Sequence, residues 1–544
     1  MKIAVLEAGI RMPWNAFDAA SRAYADHDFL HIPTAAREGA MSPEILTYRA
    51  AREQVEKITA TLAAAGFEPG HRVALALDNT STFFLYFLAL NRIGCSIVPI
   101  NAAMSTEELR YVLAHADVAA VFTHEGYVHH IKPALPDGAP LVDLHAAGQH
   151  LVSPFGRPSA AADESALLYT SGTTGTPKGC VLTHAYFQQI GDHYTGLGGH
   201  CAFRLGVERL VTPLPVTHMN ALGCSFMAML LTGGCLIQLD RFHPSSWWRT
   251  VRESRATCFH YLGVMPAMLL NAVPSSQDSL SGIVRFGFGA GVDPRHHATF
   301  EARFGVPLIE AWAMTETGGA AWITANIEPR HVGERCFGRA PEGLEWRVVV
   351  ESGDDAASGE PGELWVRRAG SDPRRGFFGG YYKDEAATAA AWAEGWFHTG
   401  DIVRVAADGS FYFVDRLKNV IRRSGENIAA VEVESVLLQH SAVLGCAVTA
   451  VADEIRGEEV FAFVVPGDGT ERSAQSAAML QRHCLDGLAY FKAPAYVVFV
   501  AELPQTASQK LARGQVKRLA AQRVAAGDVF DLRSGKKRHK PHMA

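Results

Sequence analysis

The chain has 544 residues, 48% of them hydrophobic and 19% charged, with 50 Lys and Arg against 56 Asp and Glu for a net charge of −6. That length exceeds what one hydrophobic core organises, so two or more domains are expected, and the acidic balance excludes a general nucleic-acid binder. Nine cysteines occur without any C-x-x-C pair, which excludes a zinc module and reads as reduced, buried thiols of a cytoplasmic protein.

The first residues, MKIAVLEAGIRMPW, place Glu7 inside a broken apolar run and do not form a signal peptide. Apolar spacing predicts helices over 48–65, 81–93 and 107–114, alternating with strands over 72–77, 96–100 and 118–122. This alternation of helices with nearly unbroken apolar strands implies a mostly parallel sheet covered on both faces. Residues 138–163, rich in Ala, Pro and Gly, read as a connection. Between Leu210 and Leu239 there is no Asp, Glu, Lys or Arg, yet Pro213, Pro215, His218, Asn220 and Gly233-Gly234 interrupt the run. A buried helix over 221–231 and a strand over 235–239 are expected there, not a membrane span. Further strands are predicted at 210–213, 258–262, 283–288 and 307–311, with helices at 244–254 and 265–273. Residues 345–367 and 402–414 alternate as an antiparallel region does. Beyond 417 a small α+β unit begins, with helices at 431–438 and 474–485 and strands at 443–451, 460–465 and 495–500. The tail RSGKKRHKP (533–541) is basic, lacks apolar content and is expected to be solvated.

One stretch stands apart. Residues 169–180 read YTSGTTGTPKGC, a hydroxyl-rich segment in which glycines permit close backbone approach to an anion and Lys178 adds a positive charge. A polyphosphate suits it. The nucleotide P-loop pattern G-x-x-x-x-G-K-[ST] fails, because Pro177 stands at the sixth position from Gly172.

The string T-S-G-T-T-G-x-P-K-G resembles the phosphate loop of the adenylate-forming superfamily, which includes acyl-CoA synthetases, peptide-synthetase adenylation domains and luciferases. Further segments match in order: FGAG (288–291), EAWAMTETGG (310–319), WFHTGDIV (396–403), DRLKNVIRRSGENI (415–428) and LPQTASQK (503–510). The resemblance covers nearly the whole chain. It implies an α/β fold, with a large N-terminal domain of mixed and parallel sheets flanked by helices and a small mobile α+β C-terminal domain. The boundaries are then 1–416 for the ATP- and acyl-binding domain, 417–525 for the mobile domain and 526–544 for the basic tail.

What the resemblance implies for the site suits the chemistry of a carboxylate attacking the α-phosphorus of ATP, which is mostly positioning and charge neutralisation. Thr170, Ser171, Gly172, Thr173, Thr174, Gly175 and Lys178 would hold the β- and γ-phosphates. Gly289, Ala290 and Gly291, with Glu310, Ala311, Trp312, Ala313 and Met314, would form the adenine-binding stretches, Trp312 stacking on the base. Thr315 would bond the α-phosphate and Glu316 would hold Mg²⁺. Asp401 would accept from the ribose hydroxyls with Arg416 beside it. Lys510 would bridge the carboxylate and the α-phosphate, although Gln509 precedes it where the family has Gly. Lys418 falls at the hinge, and Ser424, Gly425 and Glu426 would border the pantetheine channel. His218, Met219, Asn220, Gly289 and Ala313 would line the acyl pocket, with His218 also gating thiol entry. Ala313 stands where acetate-type members have Trp, so the acid should be larger than acetate.

The resulting reading is an ATP-dependent carboxylic acid–CoA ligase acting through an acyl-adenylate, with ATP, Mg²⁺ and coenzyme A. The alternative is an adenylation enzyme that loads a separate carrier protein; monomer and homodimer both stay open. The LGGHC string (197–201) imitates a carrier motif but has Cys201 where the attachment serine belongs.

Overall fold

The computed structural model describes residues 12–36, 41–145, 153–170, 177–276, 278–423, 426–467, 469–505 and 511–536. Three sheets organise them. The first has six strands in the order Leu141–Asp143, Ala120–Thr123, Arg72–Leu75, Ser96–Pro99, Glu164–Thr170, Lys178–Thr183. Its first five strands run parallel, fed by helices Ser81–Arg92 and Thr106–His115. The latter helix starts where it does because Ser105 and Glu108 close a capping box, each side chain accepting from the other's backbone N–H. The sixth strand is an antiparallel hairpin partner whose ladder reaches Thr170↔Lys178. The hydroxyl-rich connection is therefore shorter than its composition suggests, since both its ends are drawn into strands.

A buried ion pair fastens the base of that hairpin. Arg72 donates to Glu164 at 2.7 and 2.8 Å, Ser96 donates to the same carboxylate at 2.7 Å, and the guanidinium lies 3.9 Å from the Tyr382 ring centre. Both charged side chains are 1% exposed. Glu164→Gln strands a buried guanidinium and is expected to cost about 3–5 kcal/mol. A lowered midpoint in urea unfolding checks this; an unchanged one removes the pair from the framework.

The second sheet has 14 strands. Its parallel centre runs Asp28–Ile32, Cys235–Gln238, Arg209–Thr212, Cys258–Leu262, Phe286–Ala290, Leu308–Trp312, and it continues antiparallel through 323–324, 336–339, 410–416, 396–405, 362–368 and 344–349. The predicted helix over 221–231 begins differently: Asn220–Ser225 is a six-residue π-helix leading into the α-helix Phe226–Thr232. The Ser225 hydroxyl donates to the Asn220 carbonyl at 3.0 Å, and Gly223 lies so close to Met219 that a Cβ would meet its sulfur at 2.2 Å. Wide turns of this kind gather at functional sites. Among the described residues no helix is long and apolar enough to cross a membrane.

The third sheet has six strands, from Val420–Arg423 and Glu426–Ala429 to Tyr496–Phe499 and Phe530–Asp531, packed on helices Ala430–Leu437, Ala474–Gly487 and Arg513–Ala525. The basic tail expected from 526 is corrected here as far as 536. Phe530–Asp531 pairs with Tyr496–Val497, and the Lys536 ammonium reaches Glu459 at 2.8 Å with 1% of its side chain exposed. Glu459 also pairs with buried Arg423 at 2.8 Å, so a second cation is drawn inward to the same carboxylate. Residues 537–544 lie outside the described residues.

Candidate active site

Parallel strands Phe286–Ala290 and Leu308–Trp312 end side by side, with Gly289 opposite Glu310. Sites in open α/β sheets form beyond such carboxyl ends. Here a cavity of about 240 Å³ opens, and all five residues expected of the acyl pocket line it: His218, Met219, Asn220, Gly289 and Ala313. Ala290, Ala311, Met314 and Thr315 join them, and Tyr261, Phe288 and Trp322 form aromatic walls. Gly289 is required by proximity, because a Cβ there would lie 2.3 Å from the Tyr261 carbonyl.

The turn after Trp312 connects this cavity to a second region. Tyr186 donates to the Thr315 carbonyl at 2.5 Å, and Gly318, at φ +49, lets the chain pass over the Tyr186 ring. Thr315 faces the cavity, while buried Glu316 accepts from the Tyr381 hydroxyl at 2.9 Å. Lys178 Nζ stands 4.9 Å from the Tyr381 ring centre and 3.7 Å from Asp384. Tyr381 and Asp384 escape sequence reasoning. Their segment joins the site by pairing with the far strand of the hairpin, Gly379 donating to Val181 and Tyr382 to Gly179, both at 2.8 Å. The only local signal is the run Gly379-Gly380-Tyr381-Tyr382.

Asp401 and Arg416 face each other across adjacent strands. Asp401 is 1% exposed, and its Oδ2 accepts from the Trp312 indole N–H at 2.8 Å. Arg416 Nε lies 2.6 Å from Oδ1, an ion pair whose N–H is turned aside, so Oδ1 takes no hydrogen bond from a described donor. Burial raises the Asp401 pKa and the Arg416 charge opposes that rise. A buried carboxylate oxygen with an unused lone pair is suited to a ligand hydroxyl.

A family model of AMP-binding enzymes matches residues 17–382, and one of the AMP-binding enzyme C-terminal domain matches 432–510. The chain belongs to the AMP-binding enzyme family. It is similar to a sulfoacetate–CoA ligase of Cupriavidus necator, 33% identical over 491 residues that cover 87% of this chain and 92% of the relative. A crotonobetaine/carnitine–CoA ligase of Escherichia coli is 29% identical over 494 residues, covering 87% and 93%. Among solved structures, an anthranilate CoA ligase in complex with anthranoyl-AMP has a TM-score of 0.80 at 22% identity, covering 96% of this chain and 100% of that one. An O-succinylbenzoate CoA synthetase from Bacillus subtilis in complex with AMP has a TM-score of 0.77 at 22% identity, covering 93% and 98%. At these identities the solved structures show likeness of fold.

Within the stretch expected to bind adenine, the Glu310 side chain is engaged by the protein itself. The Glu310 carboxylate accepts from the Tyr261 hydroxyl at 2.8 Å and from the Gly291 and Val292 N–H groups at 2.9 and 3.2 Å. It is buried, which raises its pKa, and it braces the 289–292 turn from beneath. Trp312 lies 6% exposed, with Phe337 beside it at a centroid distance of 6.2 Å, and its N–H orients Asp401. Thr170 ends the first arm of the hairpin, its hydroxyl 3.9 Å from the Cys180 sulfur. Ser171, Gly172, Thr173, Thr174, Gly175, Ser424, Gly425 and Lys510 lie outside the described residues, as does the Lys418 side chain. Exposed Glu426 pairs with Arg423, and Gln505 bridges to Leu511 across the lysine segment.

The metal expectation fits the donor set. Among the described residues no group of three or more His, Cys, Asp or Glu gathers as a protein-built metal cage. Mg²⁺ is commonly held by one or two carboxylates plus substrate phosphates, and Glu316, which accepts from the Tyr381 hydroxyl and has the Cys180 thiol beside it, offers such a carboxylate.

Beneath the cavity lies an entirely buried histidine. His260 Nε2 meets the Tyr194 hydroxyl at 2.8 Å, and Nδ1 meets Asn220 Oδ1 at 2.5 Å and Ser225 Oγ at 2.9 Å. Burial draws its pKa down to about 3. The unfolded chain, with its histidine near 6.5, therefore binds the extra proton between these values. Stability from this group is complete above pH 6.5 and falls with acidification by about 1.4 kcal/mol per pH unit until about pH 3. His31 and His193, each lowered to about 4 by burial first and by neighbouring Arg209 or Arg368 second, add slopes of the same sign. Unfolding free energy measured from pH 7.5 to 5 should fall, and His260→Gln should flatten that fall; an unaltered slope would place the proton uptake elsewhere.

Proposed function

We propose that this AMP-binding enzyme is an ATP-dependent carboxylic acid–CoA ligase acting on an acid larger than acetate. The acid displaces pyrophosphate from ATP to give acyl-AMP, and the CoA thiol then displaces AMP to give acyl-CoA. The observation that carries the proposal is the Thr315–Glu316 turn. One residue belongs to the acyl cavity, and the next is tied through Tyr381 to the neighbourhood of Lys178. An acid in the cavity thus meets the triphosphate at Thr315, whose hydroxyl would hold the α-phosphate. The 170–178 hairpin tip would hold the departing pyrophosphate, Lys178 steadying its charge. Glu316 would hold Mg²⁺, which when bound neutralises phosphate charge.

Asp401 would accept from the ribose hydroxyls, Arg416 adding a ribose or phosphate contact. The indole face of Trp312 would stack on adenine, while the backbone of Gly289–Gly291 and Ala311–Met314 borders the base. Residues 1–416 would form the ATP- and acyl-binding domain and 417–525 the mobile domain turning about Lys418. That domain's core extends to Lys536. Lys510 would be delivered for adenylation, and the Ser424-Gly425-Glu426 turn for thioester formation past His218. Nine buried cysteines that stay as free thiols support a cytoplasmic setting. Relatives named as CoA ligases along nearly their whole length support CoA over a carrier protein as acceptor.

The test is a carboxylic-acid panel with pyrophosphate release and CoA consumption read in parallel. Matched release and consumption for some acid is the expected outcome. Release without CoA consumption would shift the acceptor to a carrier protein, and no release with any acid would end the ligase reading.

A further inference from the structure

The chemical class of the acid can be read from the cavity, given the ligase reading above. Among the described residues that line it there is no Lys, Arg, Asp or Glu. Its sulfur groups bring no charge either, since burial holds the Cys224 thiol up at about 12. A second charge on the acid, beyond the reacting carboxylate, would be desolvated there with no permanently charged partner among the described lining residues, His218 being the one lining side chain that protonation could make cationic, and such burial is strongly unfavourable. The size is modest: about 240 Å³ is room for roughly eight waters. Tyr261, Phe288 and Trp322 offer flat walls to a ring, whereas a long alkyl chain would outgrow the space.

The cavity is not indifferent to polarity, however. The Ser225 hydroxyl gives its one proton to the Asn220 carbonyl, so toward His260 Nδ1 it can only accept. Nδ1 therefore carries the imidazole proton, and Nε2 accepts from the Tyr194 hydroxyl. The group that Asn220 turns toward Nδ1 must then be its oxygen, at 2.5 Å. This leaves the amide N–H₂ of a cavity-lining residue without a described acceptor. The π-helix places Asn220 at its first position, with Ser225 bonded back to its carbonyl. A second donor belongs to the same wall: Trp322, 2% exposed, has an indole N–H that meets no described acceptor. The Tyr261 hydroxyl, by contrast, is already engaged by Glu310.

We infer that the acid is a compact, single-ring carboxylate with no second charge and with a neutral hydrogen-bond acceptor, to which the Asn220 amide N–H donates. Asn220 is then a specificity-determining residue, and His260, Ser225 and Tyr194 are positioning residues that fix which way its amide points. The acids in the names of the two curated relatives, one a sulfonate and the other quaternary ammonium compounds, would be poor substrates for this chain.

Isosteric pairs test this on the full-length protein: methoxybenzoates against ethylbenzoates at each ring position, alongside sulfobenzoate, trimethylammoniobenzoate, sulfoacetate and carnitine. At one ring position methoxy should exceed ethyl in kcat/KM for pyrophosphate release by about 3- to 10-fold, the worth of one neutral hydrogen bond. The charged acids should fall at least about 100-fold below it. Asn220→Leu should bring the methoxy-to-ethyl ratio to near one, Asn220→Ser should restore part of it, and His260→Gln should lower it without changing KM for ATP. Preference for a charged acid would overturn the inference and leave the ligase reading intact. So would an unchanged ratio in Asn220→Leu. Release with none of these acids, in a protein that still binds ATP, would defeat the inference, while activity with another acid would preserve the ligase reading.

Discussion

Lys510→Ala is expected to slow pyrophosphate release by about 10²- to 10³-fold, the effect of removing one preorganised charge from a transition state. Two anions must meet when the carboxylate approaches the α-phosphorus, and an ammonium between them lowers the repulsion as charge builds on the phosphoryl oxygens. Thioester formation has no such need, because its electrophile is already an acyl-phosphate. Supplied acyl-adenylate should therefore be converted to acyl-CoA at close to the wild-type rate. The complementary variant, Gly425→Leu, should impair CoA transfer and spare pyrophosphate release, as expected if the proposed turn borders the pantetheine path. Equal losses in both half-reactions, for either variant, would assign that residue to the fold instead.

Asp401→Asn should weaken ATP binding by about 10- to 100-fold, the range expected when charge-assisted hydrogen bonds to ribose are lost. The side chain keeps its volume, and its amide oxygen can still accept from the Trp312 N–H. The melting temperature should therefore move little, while Kd for ATP measured by calorimetry rises. A large fall in melting temperature with unchanged ATP affinity would make Asp401 a structural anchor for Trp312 and Arg416.

The parallel strands around the site are legible because they are buried on both faces and stand between helices of contrasting period. Phe286–Ala290 and Leu308–Trp312 each lie within three residues of their predicted limits. The antiparallel extension through 323–324 and 336–339 escapes prediction because two- and four-residue strands present no period of their own. The π-helix escapes for a different reason. It depends on the contact of Gly223 with Met219 and on the Ser225 hydroxyl, and apolar spacing registers neither. In the site, the five residues that motif resemblance assigns to an acyl pocket line one cavity, and Glu310, which it places in a nucleotide-binding stretch, bonds Tyr261 and the turn behind it through its carboxylate. Residue type places an acid near a site; only the direction of its oxygens distinguishes a ligand from a brace.

The same limit governs the C-terminus, where Lys536 lies inside although its neighbours in sequence are basic and hydrophilic. Any shortened version of the protein should end after Lys536 rather than at the end of helix Arg513–Ala525. A cut before Phe530 would remove an edge strand and leave Glu459 with one cation fewer. A tag joined after Lys536 would leave both the strand and the lysine in the chain.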